Sequence, residues 1–192
     1  AMFDALIAAN RDAGAPVRPA RIDADDGRWR EPAPVELYVD FETVNDLNDD
    51  FVSFPRKGGQ SLIFQIGCGT YVDRDWRFAQ FTARSLTAAG EADMIEAWLS
   101  HVAALARDAG LASAADARIF HWSAAETVFM EGAYSSARAR HPDRGWPLLG
   151  WYDLLERIVH RAPVVVRGAR SFGLKAVARA MKAHGLIETE WG

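Results

Sequence analysis

Three runs in close succession, "VELYVDFETV", "SLIFQIGCGTYV" and "WRFAQFTA", limit what this chain can fold into. β-branched and aromatic residues crowd all three, and the last alternates apolar with polar positions, which is the pattern of strands. They are expected to be antiparallel neighbours. Between the first two lies "NDLNDDFVSFPRKGGQ", a polar loop with a Gly-Gly pair that is long enough to do more than turn the chain. The first run also carries Asp40 and Glu42. Residues i and i+2 share a strand face, so the two acids project side by side while Val39 and Phe41 face the other way. Adjacent carboxylates repel, and they are costly in a low-dielectric surround unless water bathes them or a divalent cation lies between them.

The remainder reads mainly as helix. Residues 1–14 have the apolar spacing of a short helix, followed by a Pro-, Arg- and Asp-rich lead-in without periodicity. In "TAAGEADMIEAWLSHVAALARDAGL", Met94, Ile95, Trp98, Val102 and Leu105 mark an amphipathic helix that Gly110 ends. "DARIFHW" is a short apolar strand, after which Ser123 suits an N-cap and Glu126 the third position of a capping box. Beyond the loop "HPDRGWP", helices are expected over "LLGWYDLLERIVHRA" and "SFGLKAVARAMKAHGL". The second has Leu174, Val177, Ala178 and Met181 on one face and Gly185 as its stop. The order β-β-β-α-β-α-α-α implies a layered α/β fold with helices on a mixed sheet.

At 192 residues and 49% hydrophobic, the chain can build one sizeable domain, or one domain with an extension. No apolar run approaches membrane-spanning length, and the N-terminus "AMFDALIAANRDAG" lacks the pattern of a secretory signal, so neither insertion nor secretion is expected. The single cysteine, Cys68, excludes an internal disulfide and a cysteine-based zinc site, which fits a reducing cytoplasm. The net charge of −4 argues against an overall basic, non-specific nucleic-acid binder. The charge is uneven, however. Residues 1–133 hold 12 Lys and Arg against 21 Asp and Glu, and residues 134–192 hold 10 against 5. An acidic centre beside a basic flank would produce that division, and so would solvated helix faces of differing sign.

A D-x-E pair alone also fits a solvated sheet face. A pair of carboxylates with a third acid nearby is what Mg2+ or Mn2+ demands, because these hard ions take oxygen ligands. The stretch "RIFHWSAAETVF" offers one: Glu126 falls on the first turn of the helix after the strand ending near His121, a βα turn of the kind where α/β sheets place ligand sites. Glu126 equally suits a capping carboxylate, and His121 a core histidine.

The two constellations, in this order, resemble the DEDD 3′–5′ exonuclease superfamily of the RNase H-like fold. Its first motif is Asp-x-Glu on the first strand, here Asp40-Phe41-Glu42-Thr43. Its second is Asn followed five positions later by Asp, and here His121 and Glu126 keep the spacing but not the residue types. From about Pro34 onward the blocks "YVDFET", "IFQIG", "WYDLL" and "SFGLKAVA" look like those of the RNase H-like domain attached to RecB-family nucleases.

The resemblance implies an RNase H-like mixed sheet, three antiparallel strands then parallel additions, flanked by helices. Residues 1–33 would be an N-terminal extension or linker and 34–192 the exonuclease domain, incomplete at its C-terminus. The superfamily's last helix, with a Tyr or His and the fourth Asp, has no counterpart before Gly192. Either that helix lies beyond, or the domain binds nucleic acid or a partner nuclease without cutting. The implied activity is phosphodiester hydrolysis at single-stranded 3′ ends of DNA or RNA. Two Mg2+ or Mn2+ ions would be held by Asp40, Glu42, Glu126 and the missing acid. Thr43, His121, Trp122, Asp153 and Lys175 would neighbour the site, and Arg167, Arg170 and Arg179 would contact nucleic acid. Arg138, Arg140 and Arg144 are further candidates to follow a phosphate backbone. A RecB-type nuclease module, in the same or another chain, is the implied protein partner.

Overall fold

The computed structural model describes residues 2–22, 27–44, 62–122 and 130–188. In chain order these form α1 (Met2–Arg11), β1 (Val17–Arg18), β2 (Glu36–Val44), β3 (Leu62–Val72), β4 (Asp75–Thr82) and α2 (Ala88–Asp108). There follow β5 (Arg118–His121), α3 (Met130–Arg140), β6 (Gly150–Asp153), a π-helical stretch (Leu155–His160), β7 (Val165–Val166) and α4 (Leu174–Ala183). The chain divides into two compact units. Pro32–His121 with Val128–Tyr152 form a sheet unit, and Ala1–Glu31, Trp122–Thr127 and Asp153–Gly192 form a terminal unit.

The sheet has the order β4-β3-β2-β5-β6, with β2 antiparallel to β3, β3 antiparallel to β4, and β2 parallel to β5. It is therefore the mixed α/β sheet expected, three antiparallel strands and then a parallel addition, an arrangement consistent with an RNase H-like fold. Strand β2 alternates as its composition demands: Leu37 and Val39 are buried, while Tyr38, Asp40 and Glu42 are exposed. A bulge opposite Glu42 and Thr43 shifts the phase of β3, so that Ile63 and Ile66 both point to the buried side. The β3–β4 hairpin turns on Asp73 and Arg74, both left-handed at φ 52° and 71°, which matches the strand twist.

Helix α2 covers the buried side. Thr87 caps its start by accepting from the Gly90 amide, and Gly110, at φ 76°, lets Leu111 turn back to the Ala106 carbonyl. Met94, Ile95, Trp98 and Val102 are buried as their spacing predicts. Trp98 lies at the centre, edge-on to Phe41 at 5.7 Å and Tyr134 of α3 at 6.0 Å, and stacked near Trp151 at 6.2 Å.

One charge is buried with this core. Glu91, on the first turn of α2, is 1% exposed. It accepts from the Ile63 amide at 2.8 Å and from Arg140 Nε and Nη2 at 2.9 and 3.0 Å, and its second oxygen lies 3.1 Å from His141 Nε2. These bonds tie α2, β3 and the end of α3 together, and the paired geometry is what makes a buried carboxylate tolerable.

Two sequence expectations change. Residues 150–153, read as part of a helix, are the strand β6 beside β5. Gly150 makes the approach possible, because a Cβ there would stand 2.8 Å from the Ala117 carbonyl oxygen. Helix α4 directs Val177, Ala178 and Met181 inward, but Leu174 is 47% exposed.

Of residues 1–33, expected as an extension or linker, Ala1–Glu31 belong to the terminal unit, to which they supply α1, at the helix expected within residues 1–14, and β1. Strand β1 pairs antiparallel with β7, and Leu6 and Ala9 share a core with Leu155, Val159, Val165, Val166 and Phe172. Asn10 fastens the two ends of the chain: its amide donates to the Ala169 carbonyl at 2.9 Å and its oxygen accepts from the Gly168 amide at 2.7 Å.

Replacing Glu91 by Ala removes the buried carboxylate to which the Arg140 guanidinium and the Ile63 amide donate, and urea unfolding should show a loss of about 3–5 kcal/mol. Removing Glu96, whose 2.9 Å pair with Arg144 is largely solvated, should cost under about 1 kcal/mol.

Candidate metal centre on the outer face of the sheet

Asp40 and Glu42 reach their position through the register of β2. Leu37, Val39 and Phe41 are held on the helix side, so the alternate residues must point out, and both acids are exposed on one face of the sheet's central strand. Two residues of strand separate them by about 7 Å. Across that gap in water their repulsion is about 0.6 kcal/mol before salt screening, which an exposed pair tolerates. The Phe41 amide donates to Asp40 Oδ1 at 3.1 Å. Among the described residues neither acid has an ion-pair partner, so their oxygens are open to solvent and to ligands.

The donor set has the chemistry a hard divalent ion takes: carboxylate oxygens, accessible, with room for water. It holds two ligands. Among the described residues no group of three or more His, Cys, Asp or Glu side chains gathers where a metal could sit. Glu126, the expected third ligand, lies outside the described residues.

The other expected neighbours are distributed by the fold. Thr43 follows the bulge and pairs with Ile63, on the helix side of β2. His121 ends β5 in phase with Ile119, whose partner in register is Leu37. It is therefore on the opposite face from Asp40 and Glu42, 6% exposed, with its ring edge-on to Trp151 at 5.7 Å. Trp122 belongs to the terminal unit, where its indole N–H donates to the Phe172 carbonyl at 3.0 Å and its ring joins the core. Asp153 caps the π-helical stretch, accepting from the Leu155 and Glu156 amides at 2.9 and 3.2 Å. Lys175 lies exposed in the terminal unit.

The arginines divide in the same way. Arg138 donates to the Trp146 carbonyl, Arg140 to Glu91 and Arg144 to Glu96. Arg167 donates to the Gly14 carbonyl at 2.7 Å and takes part in joining the chain ends. Arg170 and Arg179 are exposed on the terminal unit.

Burial, then the neighbouring Glu36 and Tyr71, raise the Tyr38 hydroxyl above its ordinary range. Burial also raises the Cys68 thiol, and at 1% exposure it is a core side chain rather than a nucleophile. Among the described residues no helix is long and apolar enough to cross a membrane. The chain matches no known protein family, no curated protein and no solved structure.

Because Asp40 is exposed and carries no ion pair within the described structure, Asp40→Asn relieves repulsion and breaks no packing. Without added metal its thermal midpoint should equal the parent's or exceed it slightly. Added Mn2+ should raise the parent's midpoint and leave the variant's in place, as binding to the folded state alone requires. Calorimetric scans with and without Mn2+ read both effects.

Proposed function

We propose that this chain is a metal-dependent nuclease domain of the DEDD type, hydrolysing phosphodiester bonds at a 3′ end of DNA or RNA. The observation that carries the reading is the exposure of Asp40 and Glu42 together, on one face of the central strand, in a segment whose other face is core. Strand β2 is paired with β3 at both acids, Asp40 opposite Gly67 and Glu42 opposite Gln65, and with β5 just before them at Glu36–Tyr38, so the two carboxylates are held at a set spacing along the strand.

Asp40 and Glu42 would hold Mg2+ or Mn2+, with Glu126 as the third carboxylate. The bound ions would supply an activated water and charge stabilisation at the leaving oxygen. The acids themselves exclude an unescorted phosphate, since two negative charges repel a third; nucleic acid is admitted to this face only when their charge is neutralised. That makes strand binding and divalent ion binding interdependent.

A second reading, a related domain that binds nucleic acid or a partner nuclease without cutting, is favoured by the sequence at the second motif, where His121 and Glu126 stand in place of Asn and Asp. One experiment separates the readings. A single strand labelled within its duplex-free 3′ region is incubated with Mn2+ and the protein. The nuclease reading expects metal-dependent shortening that falls at least about a hundredfold in Asp40→Asn, because each lost ligand removes several kcal/mol of transition-state stabilisation. Retention of the strand at full length, with metal-dependent binding, favours the second reading.

A further inference from the structure

Beside the acids, β2, β3 and β4 present a second group of side chains on the same face. Residues paired across antiparallel strands share a face, so Tyr38, opposite Gly69, and Phe78, opposite Gly69 from the other side, lie with Asp40, which is opposite Gly67. Trp76 and Tyr71 form the next pair outward. The glycines let the rings lie down on the sheet. A Cβ on Gly69 would fall inside the Trp76 indole, and one on Gly67 would stand 3.2 Å from the Phe78 ring and 3.9 Å from the Asp40 carbonyl oxygen. Phe78 therefore lies over β3, the strand next to the one that carries the acids.

The rings form a connected surface. Tyr38 lies 5.7 Å and Tyr71 5.0 Å from Trp76, centroid to centroid. The surface is open: Tyr71 and Phe78 are 62% exposed, Trp76 50% and Tyr38 37%. Every large apolar side chain exposed on these three strands is aromatic. A face meant for another hydrophobic layer would use Leu, Ile and Val, whereas flat rings, three of the four with a polar group, suit flat partners.

We propose that this face is a base-stacking subsite for unpaired nucleotides of the strand whose phosphate reaches Asp40 and Glu42. It rests on the reading of those acids as a phosphodiester site. Continuity selects the occupant, because any strand with a phosphate at Asp40 has its neighbouring nucleotides within reach of Phe78 and Trp76. Electrostatics selects what is gripped. The acids at the site are carboxylates, and the cation Arg118 on this face is paired with Glu36 at 3.5 Å, so affinity here comes from bases stacking on rings. Stacking of this kind accepts any base, which would make the subsite selective for single strands and indifferent to sequence.

The test uses fluorescence anisotropy with Ca2+ in place of Mg2+, comparing an oligothymidylate with an abasic sugar-phosphate strand of equal length. The parent protein should bind the base-bearing strand more tightly. Trp76→Leu and Phe78→Leu should each weaken that binding about fivefold or more while leaving the abasic strand unaffected. Trp76→Phe and Phe78→Tyr, which keep a ring, should retain the preference. Equal binding of the two strands by the parent, or equal losses on both in the leucine variants, overturns the proposal. So does a dimer of the parent chain in sedimentation that the leucine variants dissolve, because the face then belongs to a second copy. The comparison involves no cleavage, so failure of the nuclease reading appears separately, as an unshortened strand in Mn2+.

Discussion

Leu37, Val39 and Phe41 settle on the helix side of the sheet because Trp98 and its aromatic neighbours form the apolar core there. Removing a buried Trp typically costs about 3–5 kcal/mol, and a one-residue slip of β2 would expose three apolar side chains and bury two acids. The register of β2 is therefore strongly determined. With it are determined the outward direction of Asp40 and Glu42, the placement of Tyr38 beside them, and the pairing that lays Phe78 and Trp76 over Gly67 and Gly69. The core and the candidate site are two sides of the same alternation.

The Glu91 cluster supports that alternation from the other end of the strand. Its bond to the Ile63 amide fixes β3 at the point where the bulge resets the phase, and its bonds to Arg140 and His141 hold α3 against the same layer. A carboxylate so placed is a structural device, whereas the exposed pair on β2 is unspent. Glu91 has both oxygens engaged by Ile63, Arg140 and His141, whereas Asp40 and Glu42 are exposed and, among the described residues, carry no ion pair.

Much of this was legible in the sequence where the signal is local. Period-two alternation gave the face of Asp40 and Glu42, and helical spacing gave Met94, Ile95, Trp98 and Val102 as core. What escaped depends on distant partners. Glu91 is buried because Arg140 and His141, 49 and 50 residues away, meet it, and nothing near Glu91 announces that. "GWYD" lies within a stretch of helical apolar spacing, and only the close approach of Gly150 to Ala117 makes it a strand. His121 falls at the expected strand end, but the parallel register with β2 turns it into the core, which strand composition alone does not set. The two glycines of "IGCGT" were the available sign of rings lying on the sheet, since Gly at alternate strand positions marks a close approach.

The central claim is that Asp40 and Glu42 bind a divalent ion on an exposed sheet face. Electron paramagnetic resonance of free Mn2+ measures this most directly, because the free-ion signal falls as protein binds it. The parent should deplete the signal saturably, and Asp40→Asn and Glu42→Gln should each abolish most of the depletion while keeping the parent's circular dichroism. Depletion unchanged in both variants, or absent from the parent, would contradict the claim.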